Sequence, residues 1–356
     1  MSRFLTDEIT QLKIIVEQLE LCCDFINETS VTKHRVAIIL LDNISEIILQ
    51  RLCSRAIEFD DFTKWIWPQK YPEAKKININ RFFDKKIKVV TKEKKLSKQI
   101  TEVISIGHKY RNAICHRDSY NPAVIGSIAK VLFIAVTDLF TKTSCGIEAA
   151  AIGGYKESFE WLVPYGIKET YIDFPRVSKI ISKKLENKIH FDLSALIVVF
   201  CNDLEQRIRN IKSQIDKELP WKTPEGINHI LKWFEFQEKN PDLEDKLSME
   251  YRKYIYKIAK NKPVNIEPAQ LKQIEEKFKR EYHAKVDEYR QNISYSAIFR
   301  IEGKIKKMAK GKSTVEVLSQ YAMLDETLSK LEYYLDLAAR EWDRIVQREI
   351  DLSRGK

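Results

Sequence analysis

An all-α fold is what this sequence predicts, and three observations predict it. Apolar residues recur three and four apart along most of the chain, the spacing that gathers them on one face of a helix. Cap residues and prolines fall at the ends of those periodic segments and divide them. Only two short stretches read otherwise: the β-prone run Ile87-Lys88-Val89-Val90, and a partly extended stretch punctuated by Pro164 and Pro175.

Taken in order, the spacing predicts a first helix from Thr6 to about Asn27, with Ile9, Leu12, Ile15, Val16, Leu19 and Ile26 in register. A second covers about Thr32 to Ile57 and carries Asp42 and Glu46 four residues apart. An aromatic and lysine-bearing segment, Phe59 to Trp67, precedes Pro68 and Pro72. From Lys75 to Lys98 basic residues outnumber acids, with Phe82 and Phe83 among them, and this stretch reads as a loop. It runs into a helix capped at Ser97, whose stripe is Ile100, Val103, Ile104, Gly107, Tyr110 and Ile114. Asn121-Pro122 opens the next helix, and Val124 to Phe140 is apolar nearly all round, the mark of a central buried helix.

Gly146 to Gly154 is a small-residue connection and the expected domain boundary, separating residues 1–145 from 146–356. Phe191 to Leu219 is helical again, apolar first and mixed in charge later. Pro220, Pro224, Pro241, Pro263 and Pro268 divide further helices over 225–239, 244–261 and 267–308. In a last helix, from about Ser313 to Leu352, Val317, Tyr321, Leu324, Leu328, Leu331, Leu335, Ala338, Trp342, Ile345 and Val346 stand near heptad spacing. The C-terminal region is therefore expected to be long, charged helices with apolar seams.

The chain carries 61 Lys and Arg against 51 Asp and Glu, a net charge of +10, which favours an anionic partner. Nucleic acid is the commonest such partner, although a lysine-rich proteome would raise the charge of any protein it encodes. The hydrophobic content, 44%, excludes a disordered tail. Six scattered cysteines, with Cys22 and Cys23 adjacent and no C-x-x-C pair, suit small buried hydrophobes in a cytoplasmic protein. No apolar signal segment opens the sequence, and the longest apolar run, Val131 to Val136, is too short to span a bilayer.

No metal or organic cofactor is implied. His34, His108, His190, His229 and His283 lack ligand spacing. Gly311-Lys312-Ser313-Thr314 ends like a phosphate loop, but Lys306 stands where its first glycine belongs. Gly153-Gly154 has no G-x-G-x-x-G pattern around it.

Chemistry concentrates in Arg111-Asn112-Ala113-Ile114-Cys115-His116. Arginine grips phosphate through two parallel hydrogen bonds, and histidine exchanges a proton near neutral pH. At about 100° per residue, Asn112 and His116 share the face opposite the apolar stripe, with Arg111 at its edge. A catalytic pair turned outwards suggests a site completed by a second copy of the chain. The alternative is that Arg111 and His116 are solvated cations complementing a helix C-terminus.

The segment His108 to Asp118 resembles the signature of the HEPN superfamily of ribonucleases: an Arg, a polar residue, and a His four to six residues after the Arg. Thr32 to Gln50 is similar to the helix that precedes this motif in many bacterial members. The resemblance covers about residues 1–145 and rests on these two segments. It implies a HEPN-like antiparallel helical bundle and a homodimer with a composite cleft. It further implies metal-independent RNA cleavage that leaves a 2′,3′-cyclic phosphate and a 5′-hydroxyl, in a toxin or antiviral-defence effector.

In that reading His116 is general base or acid, Arg111 stabilises the phosphorane, and Asn112 orients the His116 ring or contacts phosphate. Asp42 or Glu46 would anchor Arg111. Lys85, Lys86, Lys88, Lys94 and Lys95, with His108 and Arg117 flanking the motif, are candidate substrate contacts, because cations interleaved with rings suit a strand of RNA. The same composition also suits a solvated loop whose rings close over the core, and His108 also suits a surface role. The C-terminal region would sense a trigger, bind an antitoxin or select RNA. The alternative function is a non-catalytic helical RNA-binding or adaptor protein that uses such a fold to dimerise.

Overall fold

The computed structural model describes residues 2–94, 96–116, 122–143, 149–151, 156–167, 171–218 and 297–353. They are mostly helical. The expected helices over 225–239 and 244–261, the part of 267–308 before residue 297, and the Asn121 cap lie outside the described residues. Contacts divide the chain into two compact units, Met1–Asp203 with Met308–Ala322, and Leu204–Lys307 with Met323–Lys356.

In the first unit, helix α1 (Ser2–Asn27) buries Leu12, Ile15, Val16, Leu19, Cys22, Cys23 and Ile26 along one stripe. Helix α2 (Val31–Thr63) starts where the Ser30 hydroxyl accepts from the Lys33 N–H. It runs six residues beyond the expected end at Ile57, so Phe59 and Phe62 stand on its last turns.

The basic stretch that reads as a loop is instead two helices, α3 (Glu73–Arg81) and α4 (Phe83–Lys94). The β-prone run Ile87–Val90 is therefore helical. Phe83, Lys86, Ile87 and Val90 fall at helical spacing and are all buried, and α4 packs on α2. Burial of a whole face outweighs the modest strand preference of three β-branched residues.

Helix α5 (Lys98–His116) begins as its cap predicts, with the Ile100 N–H donating to Ser97 Oγ. Helix α6 (Pro122–Thr143) is the centre of the unit and packs against α1, α2, α5 and α7 (Phe174–Glu186). By length and composition Pro122–Lys142 could cross a membrane, which the short run Val131–Val136 does not reveal, yet two-thirds of it is buried within the fold. It is a core helix. Its one polar core residue, Thr137, donates to Glu186 Oε1 of α7 at 2.6 Å.

Gly107 fits where α5 meets α6. A Cβ there would lie 2.5 Å from Leu132 Cδ1, and Leu132 is buried. Gly107→Val is therefore expected to cost about 1–3 kcal/mol by overpacking. The thermal midpoint reads this directly, and an unchanged midpoint would mean that the two helices can part without penalty.

Between α6 and α7, strands β1 (Ala149–Ala151) and β2 (Tyr171–Asp173) pair antiparallel, Ala150 opposite Ile172. A 3-10 helix (Lys156–Tyr165) lies between them, and Gly166 ends it at a φ of 82°, where a side chain would be strained. Helix α7 is a finding that the prolines masked. Its face of Phe174, Val177, Ile181 and Leu185 is buried.

Helix α8 (Leu193–Glu218) starts with the Ser194 N–H on Asp192 Oδ1. Helices α9 (Ala297–Met308) and α10 (Thr314–Ser353) complete the described residues. In the first unit Tyr321 stacks on Phe200 and its hydroxyl donates to Asp203 Oδ2 at 2.7 Å. In the second, Arg207 clasps Glu332 with two bonds of 2.8 and 2.7 Å and reaches Asp325 at 2.5 Å. The heptad positions Leu324, Leu328, Leu331 and Leu335 are buried. The side chains of Ala338, Trp342, Ile345 and Val346 lie outside the described residues.

Candidate functional site

Three helices, α2, α4 and α5, converge on a chain of polar side chains. The apolar stripe of α5 fixes its rotation: Ile100, Val103, Ile104, Gly107 and Ile114 turn inward, which sets His108 and Arg111 against α2. There the carboxylate of Asp42 is 2% exposed, and an isolated carboxylate at that depth would be costly. It is fully engaged. Arg111 Nε donates to Oδ2 at 2.6 Å, and His108 Nδ1 donates to Oδ1 at 3.0 Å. Since a carboxylate only accepts, His108 carries its proton on Nδ1.

One turn along α2, Glu46 Oε2 lies 3.7 Å from Arg111 Nη2, while its Oε1 accepts from Lys86 Nζ at 3.2 Å. The result is an alternating ladder, Lys86–Glu46–Arg111–Asp42–His108. Phe83 of α4 closes one end, its ring stacked on His108 with centroids 3.8 Å apart and planes 4° from parallel. Near the other end of α5, Arg35 of α2 donates to the Ile114 carbonyl at 3.5 Å, a cation beside the last turn.

Asn112 departs from the expected geometry. Rotation about an ideal helix places it opposite the apolar stripe, but it is half-buried and its Oδ1 accepts from Arg111 Nη1 at 2.8 Å. The side-chain oxygen steadies the guanidinium instead of pointing outward. His116 is the last residue of α5, and its side chain lies outside the described residues.

The expected anchors Asp42 and Glu46 are both brought to Arg111. His108 is not on the surface but half-buried against Asp42 and Phe83. Among the lysines read as RNA contacts, Lys86 is corrected most plainly: it is 5% exposed and bonded to Glu46. Lys85 and Lys88 are exposed on α4 and, with Lys92, line one face at spacings of three and seven. The side chain of Lys94, and residues Lys95 and Arg117, lie outside the described residues.

Sequence reasoning missed two participants, Phe83 and Arg35. Phe83 was hidden by reading the basic stretch as a loop; the i, i+4, i+7 pattern of Phe83, Ile87 and Val90 was its available signal. Arg35 sits one to two turns before Asp42, and nothing local distinguishes it from a surface arginine.

Among the described residues, no three His, Cys, Asp or Glu side chains converge as a metal would require. No family model, curated protein or solved structure matches the chain.

Proposed function

We propose that this chain is a metal-independent endoribonuclease of HEPN type, a toxin or antiviral-defence effector. The observation that carries the reading is the held guanidinium: Arg111 is tied at Nε to buried Asp42 and at Nη1 to Asn112, on the helix that ends in His116. A cation fixed in advance stabilises a charge that grows in the transition state without having to reorganise first.

In this mechanism the 2′-hydroxyl attacks the adjacent phosphorus and the 5′-oxygen departs. His116 is the proton-transfer group, taking the proton from the 2′-hydroxyl or giving one to the leaving oxygen. Arg111 stabilises the phosphorane oxygens. Two chains paired along their motif helices would supply one His116 for each role. The products are a 2′,3′-cyclic phosphate and a 5′-hydroxyl.

Arg111→Lys is expected to lower cleavage about 100- to 1,000-fold, because an ammonium cannot hold Asp42 and present a planar fork together. The assay is purified protein with total RNA and tRNA in EDTA, followed by end-group analysis. Full activity in Arg111→Lys would sink the guanidinium's role. No cleavage by the wild type would favour the second reading.

That second reading is a non-catalytic helical RNA-binding or adaptor protein. One observation favours it: the contacts Arg111 makes to Asp42 and Glu46 are those of a residue that fastens α5 to α2. It expects the wild type to bind RNA or a protein partner without cutting.

A further inference from the structure

Two of the helices that build the Arg111 ladder, α2 and α4, also line a concavity. Arg55 and Phe59 on α2, Trp67 and Tyr71 after it, and Val90 and Glu93 on α4 line a cleft of about 430 Å³. Two of its walls are rings left in the open, Phe59 at 63% and Trp67 at 58% exposure, with Phe62 and Trp65 more exposed still beside them. Other large apolar side chains are exposed singly, but here four rings stand in water within nine residues, and a cluster of that kind marks a contact surface.

The acids of the cleft are already engaged. Asp60 accepts from the backbone N–H groups of Lys70 and Tyr71, both at 2.9 Å, and Glu93 accepts from the Tyr71 hydroxyl at 2.8 Å. Burial and the Glu93 contact both push the Tyr71 hydroxyl above its ordinary range, which keeps it a donor. Cations stand at the rim: Arg55 and Lys70 are exposed, Lys64 lies 5.7 Å over the Trp65 ring, and Lys75 lies 4.9 Å over the Tyr71 ring.

Open rings beside rim cations match a flat, π-faced group that carries negative charge, which is a nucleotide. Lipid tails fit less well, because the half-exposed Glu93 carboxylate in the lining would have to be desolvated against them. Position along the helices adds to this. Asp60 of the cleft lies fourteen residues after Glu46 on α2, about 21 Å along the helix and within about 40° of the same face. A stacked strand advances roughly 3.4 Å per nucleotide, so about six nucleotides would bridge the two places.

We propose that the cleft between Phe59 and Trp67 holds a base of single-stranded RNA, as a subsite for the strand whose phosphate Arg111 grips; this rests on the RNA reading above. The site would take an unpaired base, since a paired one cannot enter between the rings.

The test uses the full chain carrying His116→Ala, so that substrate survives, alone and combined with Phe59→Ala or Trp67→Ala. Fluorescence polarisation follows binding to a short labelled oligouridine and to an RNA duplex. Each ring removed is expected to raise the single-strand Kd about tenfold or more and leave duplex binding unchanged. Circular dichroism should show the same helix content throughout, because both rings are exposed. Unchanged single-strand affinity in both ring variants would overturn the subsite while leaving the RNA reading in place. If the His116→Ala parent binds neither RNA, the RNA reading and the subsite fall together. Ring-dependent binding to phosphatidylserine vesicles, with RNA affinity unmoved, would also overturn the subsite and assign the rings to a lipid surface.

Discussion

Replacing His116 with alanine is expected to reduce RNA cleavage by about 100- to 10,000-fold, the range that a positioned proton donor or acceptor supplies. Stability should hardly change. His116 closes α5, so no later turn of that helix depends on it, and the helix is fastened earlier by Arg111, His108 and the buried stripe. The informative measurement pairs single-turnover cleavage with a thermal midpoint. Lost cleavage at an unchanged midpoint supports proton transfer by His116. Lost folding would make His116 a structural residue, and unchanged cleavage would end the proposed mechanism.

Asp42→Ala should act in the opposite order, through the fold first. Asp42 is the most buried charge of the ladder and receives both Arg111 and His108. Removing it leaves a partly buried guanidinium without its strongest partner, and breaking a buried pair from one side costs about 3–5 kcal/mol. The urea midpoint should fall at an unchanged slope, and cleavage should fall with it because Arg111 is no longer held. Asp42→Asn keeps one acceptor oxygen and should lose less of both. A wild-type midpoint for Asp42→Ala would mean that the ladder contributes little to packing α5 on α2, and would remove the argument that Arg111 is held in advance.

Helix existence was legible wherever burial is one-sided. Ile9 through Ile26, Ile100 through Ile114 and Leu324 through Leu335 repeat at helical spacing because one face of each helix is dry and the other wet. One segment was misread and one passed over. In α4 the lysines drew attention to charge, while Phe83, Ile87 and Val90 carried the helix. The partly extended stretch between Pro164 and Pro175 does hold β2, but the helix that follows was not read, although Pro175 sits in the first turn of α7, where its missing N–H is harmless. The membrane-length helix α6 shows a third limit: hydropathy alone cannot distinguish a helix wrapped by lipid from one wrapped by α1, α2, α5 and α7.

What the sequence determined by itself is the helical class, the cap at Ser97, the buried centre at α6, and the presence of Arg111, Asn112 and His116 within two turns of one helix. These are local properties, set by spacing and by the bonding needs of helix ends. The tertiary structure alone decided that Lys86, Glu46, Arg111, Asp42 and His108 form one ladder, that Phe83 covers its end, and that Asn112 turns inward to the guanidinium. Those partners come from three helices, with Asp42 and His108 66 residues apart in the chain. Their meeting depends on how α2, α4 and α5 are rotated about their own axes, which is fixed by the apolar side chains packed beneath them and is written in no single stretch of the chain.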